Sequence, residues 1–299
     1  MAEYKGIKGF KVQYLDQDPV PAVAGWSAGG NVSTARYALA GAGTQTAGLI
    51  FGGDVPPGFP TTAEEYNGSS WSNGGTMATG RYNIMGCGTQ TAGLAFGGTP
   101  PTTTATEEYN GSTWSPGGSM STAREAAGAA GIQTAALAIG GNTPPTTGAT
   151  EEYDGSTWTA GGTMGTARAY SGGAGIQTAG LVFGGNPAPS RALTEEYDGS
   201  TWTAGGNLNT ARYNPGGAGI QTAALAFGGR DPATGTTEQY DGTSWTTLPS
   251  TMGTARYQHA GFGTASLALA ASGHATGGAG NSLAATEEYT SALATTIVG

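Results

Sequence analysis

The chain has 299 residues, of which 56 are glycine. Its formal net charge is -9, and its only lysines, Lys5, Lys8 and Lys11, fall in the first eleven residues. Phosphate binding needs a basic face, so nucleic acid is excluded as a partner. With nowhere eighteen consecutive apolar residues, no helical membrane span or membrane insertion is expected either. Cys87 stands alone, so no intrachain disulfide can form; its glycine-rich apolar surroundings suit an inert buried thiol.

In chain order, the first segment is residues 1–22. It lacks the apolar core of a secretory signal, so the chain is expected to be made and kept in a cytoplasm. Phe10, Val12 and Tyr14 alternate with Lys11 and Gln13, the pattern of an edge strand that pairs with another surface. Pro19-Val20-Pro21 forms a stiff spacer behind it. The segment is read as an adapter that orders on docking. Lys5, Lys8 and Lys11 would face an acidic partner, and Phe10, Val12 and Tyr14 would be its buried side.

From Trp26 onward a repeat takes over. Trp26, Trp71, Trp114, Trp158, Trp202 and Trp245 are spaced by 45, 43, 44, 44 and 43 residues. Each period carries Thr-Ala-Arg or a close variant, a glycine-rich run, an apolar run usually ending Phe-Gly-Gly, a variable Pro/Thr loop, Glu-Glu-Tyr, and Asn/Asp-Gly-Ser-Thr-Trp. A fixed period of this length marks a repeat architecture. Asp198-Gly199, between Glu-Glu-Tyr and Thr-Trp, predicts a two-residue type I′ hairpin joining a third and a fourth strand. Upstream, Arg212–Ile220 and Thr222–Gly229 read as two inner strands buried on both faces.

The period is therefore a four-stranded antiparallel sheet. One such sheet cannot bury both faces, whereas six stacked radially bury each other, so an all-β, six-bladed β-propeller is predicted over residues 23–290. A parallel β-helix would not need a hairpin in every period. Gly25-Trp26 lacks its Glu-Glu-Tyr strand and Glu287-Glu288-Tyr289 lacks its Trp strand. The ring is therefore expected to close by pairing residues 24–28 with a C-terminal strand near Thr286–Thr290; the rival is that Leu293–Val298 supplies the missing strand. Residues 291–299 are left as a tail.

Because they return in every blade, Arg36, Arg81, Arg124, Arg168, Arg212 and Arg256 are read as structural. Each would bridge strands within its blade to one glutamate of a Glu-Glu pair, the other glutamate facing solvent. Tyr and Trp at fixed places fill the space between blades. The catalytic inventory is poor: His259 and His274 are the only histidines, no zinc or P-loop motif occurs, and the adjacent glutamates point to opposite strand faces. No enzyme activity, cofactor or metal is expected. Asn67-Gly-Ser and Asn110-Gly-Ser match a glycosylation sequon, but both are hairpin turns.

The pairs Gly52-Gly53, Gly97-Gly98, Gly140-Gly141, Gly184-Gly185 and Gly228-Gly229, with Tyr66/Trp71 through Tyr240/Trp245, resemble the kelch family, whose repeats carry a Gly-Gly pair after an apolar strand and a spaced Tyr and Trp. Leu269-Ala-Ala-Ser-Gly273 departs from that pattern. In kelch-like folds the inner strand begins near the central opening. The resemblance thus implies that the variable positions just after each arginine, Tyr37, Tyr82, Asn83, Tyr170, Tyr213, Asn214, Tyr257 and Gln258, are where a ligand would bind, by stacking and amide bonds to a sugar.

The opening Lys-Gly-Ile-Lys-Gly-Phe-Lys-Val-Gln resembles short leading segments of structural proteins in tailed phages of aquatic bacteria. That resemblance implies a non-enzymatic virion component: a fibre, neck, tail or capsid-surface protein that meets other virion proteins through residues 1–22 and a host-surface glycan through the propeller. The alternative is a stand-alone, lectin-like carbohydrate-binding propeller; a glycan-cleaving enzyme ranks below it.

Overall fold

The computed structural model describes residues 24–275 and 281–291. They form six antiparallel four-stranded sheets, with one 3-10 turn at Ser190–Ala192. Blades I to V occupy residues 40–76, 85–116, 128–160, 172–204 and 216–247. Blade V shows the pattern: Gly216–Ile220, Ala223–Phe227, Thr237–Tyr240 and Trp245–Thr247, each hydrogen-bonded to the next in order. The first strand of each blade lies against that of the next, and blade VI returns to blade I. The molecule is a six-bladed β-propeller.

Blade VI is sewn from both ends of the repeat. Its outer strand Gly25–Ala28 runs antiparallel to Thr286–Thr290, with Gly25 opposite Thr290 and Ala28 opposite Glu287. This is the predicted closure, and it leaves no place in the blade for Leu293–Val298 as the missing strand.

The second strands, such as Ala-Gly-Leu-Val-Phe at Ala179–Phe183, are buried on both faces because each lies between two blades. Six apolar clusters result, one at each seam. The seam of blades I and II, for example, packs Leu49, Phe51 and Met77 against Ile84, Ala95 and Tyr109. Burying a side chain of this size contributes roughly 1.5–3 kcal/mol, so the seams carry the hydrophobic stabilisation.

The inner strands are shorter than predicted. Arg212 turns into the blade, and Asn214 adopts a left-handed φ of 54°, so the first strand starts only at Gly216. The second ends at Phe227 because Gly228 and Gly229 are left-handed as well, with φ of 64° and 104°. Glycine is required there, since a Cβ on Gly228 would lie 2.6 Å from the Arg256 carbonyl oxygen of the next blade.

The outer hairpins also differ from the type I′ expectation, which needs positive φ at both central residues. Only Gly199 is left-handed, at φ 91°. The Asp198 carboxylate instead accepts the backbone N–H groups of Ser200 and Thr201 at 2.8 and 2.7 Å. Those bonds hold the Asp198 pKa well below the usual carboxylate range.

Candidate functional site

The repeated arginines are withdrawn from ligand chemistry. All six are buried, and each pairs with the first glutamate of its own blade, as Arg36 does with Glu64 at 2.7 Å and Arg124 with Glu151 at 2.5 Å. The second carboxylate oxygen of that glutamate accepts a backbone N–H, as Glu195 does from Gly165 at 2.7 Å. Burial lowers the pKa of Arg36, Arg168, Arg212 and Arg256, and the paired glutamate opposes the shift. The expected bridge within each blade is present.

The expectation for the second glutamate is corrected: it faces the next blade. Glu65 accepts the Tyr109 hydroxyl at 2.6 Å, Glu108 accepts Tyr153 and Glu152 accepts Tyr197, each at 2.5 Å, and Glu288 accepts Tyr66 across the closure at 2.5 Å. In a single sheet the face away from the arginine would be solvent. In a ring it is the neighbouring blade.

What remains variable lies around the central axis. The residue two after each arginine, Ala38, Asn83, Ala126, Tyr170, Asn214 and Gln258, adopts a left-handed φ between 47° and 58°. Their backbones form a closed ring of hydrogen bonds from blade to blade. Asn83 N–H donates to the Ala38 carbonyl at 2.8 Å, Ala126 to Asn83 at 2.8 Å and Tyr170 to Ala126 at 2.6 Å. Asn214 donates to Tyr170 at 2.7 Å, Gln258 to Asn214 at 3.4 Å and Ala38 to Gln258 at 2.8 Å. These six residues rim a depression of about 110 Å³ at the channel mouth.

Of the sequence-predicted residues, Asn83, Tyr170, Asn214 and Gln258 stand together in this depression. Tyr37, Tyr82, Tyr213 and Tyr257 stand one residue further out. There they pair across the mouth with Asp54, Thr99, Arg230 and His274, the residues that follow the Gly-Gly positions. The Tyr37 hydroxyl donates to Asp54 at 2.6 Å, and that bond, with burial, pushes its pKa up to about 12. Tyr82 stacks on Phe59 at 5.0 Å. The Arg191 guanidinium lies over Tyr213 at 5.1 Å and that of Arg230 over Tyr257 at 4.8 Å. His274 lies between Tyr257, stacked at 5.3 Å, and Tyr37, edge-on at 5.0 Å.

Glu125 extends the set, accepting the amides of Asn83 at 3.3 Å and Asn142 at 3.0 Å. Sequence reasoning missed Asp54, Phe59, Glu125, Arg191, Arg230 and His274. The available signal was that all six depart from the repeat, five of them in or beside the variable loop after the apolar strand.

The mouth therefore offers amides, phenols, carboxylates and guanidinium groups on a backbone fixed by the ring, a set that can bond and stack on a polyhydroxylated ligand. Below it the channel is walled by small residues. A Cβ on Gly173 would meet the Ala129 carbonyl oxygen at 2.3 Å, so glycine there serves strand packing. His259 is buried beside Arg256, and desolvation followed by that charge lowers its pKa to about 3, so its imidazole is neutral at physiological pH. Among the described residues no three His, Cys, Asp or Glu side chains gather as a metal site.

Lys5, Lys8, Phe10, Lys11, Val12 and Tyr14, predicted to bind a partner, lie outside the described residues, as do the spacer and residues 292–299. No protein-family model matches the chain, and no curated protein matches it.

Proposed function

We propose that this chain is a non-enzymatic structural or appendage protein of a phage virion. In this reading it is a kelch-like propeller that serves assembly through residues 1–22 and host-surface recognition through its channel mouth. The observation that carries the reading is the division of labour among side chains. The repeated Arg, Glu, Tyr and Trp residues are committed within blades and seams, while the mouth sets non-repeating Asn83, Tyr170, Asn214 and Gln258 on an invariant backbone ring. A rigid frame with a variable polar rim suits binding, with the ordering cost already met in the fold. The virion assignment rests on the resemblance of the leading segment and on blades that are near copies. Thr194–Gly229 repeats Thr150–Gly185 at roughly four positions in five, as in an array grown by duplication.

The test is particle composition. Mass spectrometry of purified particles is expected to find the chain, and a chain lacking residues 1–18 is expected to fold normally yet be missing from particles. Presence in uninfected cells together with absence from particles contradicts the virion assignment, and normal incorporation of the shortened chain contradicts the adapter role. The mouth's amides and phenols also favour a second reading, a free-standing lectin-like propeller, which predicts glycan binding without any particle.

A further inference from the structure

Three side-chain links recur across the seams: tyrosine hydroxyl to glutamate, tryptophan indole to threonine, and a glutamine that reaches back to two carbonyls. At the seam of blades III and IV all three are made. Tyr197 donates to Glu152, the Trp202 indole to Thr150 at 3.1 Å, and the Gln177 amide to the carbonyls of Ala136 and Tyr153 at 3.1 and 2.7 Å. The seam of blades V and VI keeps the indole link, from Trp26 to Thr237 at 2.8 Å. There, however, Gln239 stands in place of the glutamate and Ala265 in place of the glutamine.

A cavity of about 410 Å³ opens at that seam, on the face opposite the channel mouth. Ile220, Ala223, Gln239, Ala265, Ser266 and Ser291 line it. Ile220 is 55% exposed and Leu267, beside Ser266, 44%. The truncation of a glutamine to Ala265 accounts for both the space and its apolar wall. The chain is also delivered to it: Ser291 lines the cavity and its N–H donates to the Ser266 carbonyl at 2.9 Å. The residues that follow, Ala292-Leu293-Ala294-Thr295-Thr296-Ile297-Val298-Gly299, carry no charged side chain and include three large aliphatic residues.

We propose that residues 292–299 fold back into this cavity, with Leu293 and the Ile297-Val298 pair as anchors. The segment then replaces, by apolar burial, the two polar links that this seam lacks. Association driven in this way needs no directional partner and scales with the apolar area removed from water. Nothing in the other five seams calls for such a plug, since each has its glutamine and glutamate, as in Gln90 to Tyr66 and Tyr66 to Glu288.

The experiment compares the full chain, the chain shortened after Ser291, and Leu293→Asp, using thermal melts and the fluorescence of the apolar dye anilinonaphthalene sulfonate. The shortened chain is expected to melt about 5 °C lower and to bind several-fold more dye, with Leu293→Asp moving both readouts in the same direction. A second measurement uses Ala265→Cys with Leu293→Cys under oxidised glutathione. The disulfide is expected within one chain; Cys87 is buried with its thiol pKa pushed up to about 12 and does not compete. Unchanged melting and dye binding overturn the proposal. So does a crosslink formed only between chains, which assigns the cavity to a second copy, or a small molecule found in the cavity of the full-length protein.

Discussion

The seams between blades and the channel mouth are built on opposite terms. In the seams the same side chain performs the same task blade after blade: Tyr109, Tyr153 and Tyr197 each donate to the second glutamate of the preceding blade. At the mouth the same backbone performs the same task, a left-handed turn and one hydrogen bond to the neighbouring blade, while the side chains are Ala38, Asn83, Ala126, Tyr170, Asn214 and Gln258. Left-handed φ costs a non-glycine residue roughly 1–2 kcal/mol, and a closed ring of six bonds is what holds these residues there. Where burial sets the side chain, variation is expensive. Where the backbone supports the structure, the side chain is released for recognition.

The largest expected break in this contrast comes from a blade arginine. Arg212→Met strands Glu238, which is fully buried, and is expected to cost about 3–5 kcal/mol in urea unfolding. A loss below about 1 kcal/mol would return the arginines to the list of candidate ligand groups.

Alkaline titration sharpens the contrast next. Burial, followed by the bond to a neighbouring glutamate, pushes the pKa of Tyr66, Tyr109 and Tyr153 up to about 12 from an ordinary 10. The neutral phenol is the form favoured by the fold, so its contribution to stability is full below pH 10 and is lost as pH rises from 10 to about 12. Ultraviolet titration should show delayed ionisation for these tyrosines while stability falls in that window. Simultaneous ionisation at pH 10 with the fold intact would contradict the assignment.

A smaller and opposite effect is expected at Ala63. Trp71, Trp158 and Trp245 donate their indole N–H to Thr286, Thr106 and Thr194 of the preceding blade at 2.9 Å. In blade I that threonine position is Ala63, and the Trp114 indole N–H is buried without a partner. Ala63→Thr should supply the acceptor and stabilise by about 1 kcal/mol, a rise of about 2–4 °C in Tm. The backbone register shifts between Thr62 and Glu64 there. A lower Tm would mean that the irregularity, and not the missing hydroxyl, is what distinguishes this seam.

Much of the frame was legible in the sequence because repetition converts spacing into geometry. Six tryptophans at a near-constant interval specify the blades, and the two incomplete half-repeats specify closure through Gly25–Ala28. The arginine to first-glutamate bridge was legible for the same reason. The second glutamate was misread because strand alternation says which face a side chain takes, while the identity of what covers that face belongs to the ring. The turn at Asp198 was misassigned because its carboxylate captures the N–H groups of Ser200 and Thr201 and so sets the backbone.

At the mouth, Asn83 and Gln258 could be placed from their distance to the arginine. Asp54, Arg230 and His274 could not, because they follow loops and strand ends whose order in space only the closed ring defines. Ala265 and Gln239 were visible as departures from the repeat, but their shared seam appears only once blade VI is assembled from both ends.

The central claim is that recognition resides in the variable rim and not in the repeated side chains. It is tested most directly on a glycan array, by comparing the unaltered chain with a triple variant Asn83→Ala, Asn214→Ala, Gln258→Ala. These side chains are partly exposed and the ring bonds are backbone bonds, so the variant should keep its Tm within about 2 °C. It should lose binding by at least tenfold, the equivalent of about 1.4 kcal/mol. Binding by the triple variant equal to that of the unaltered chain, or no glycan bound by either, contradicts the account.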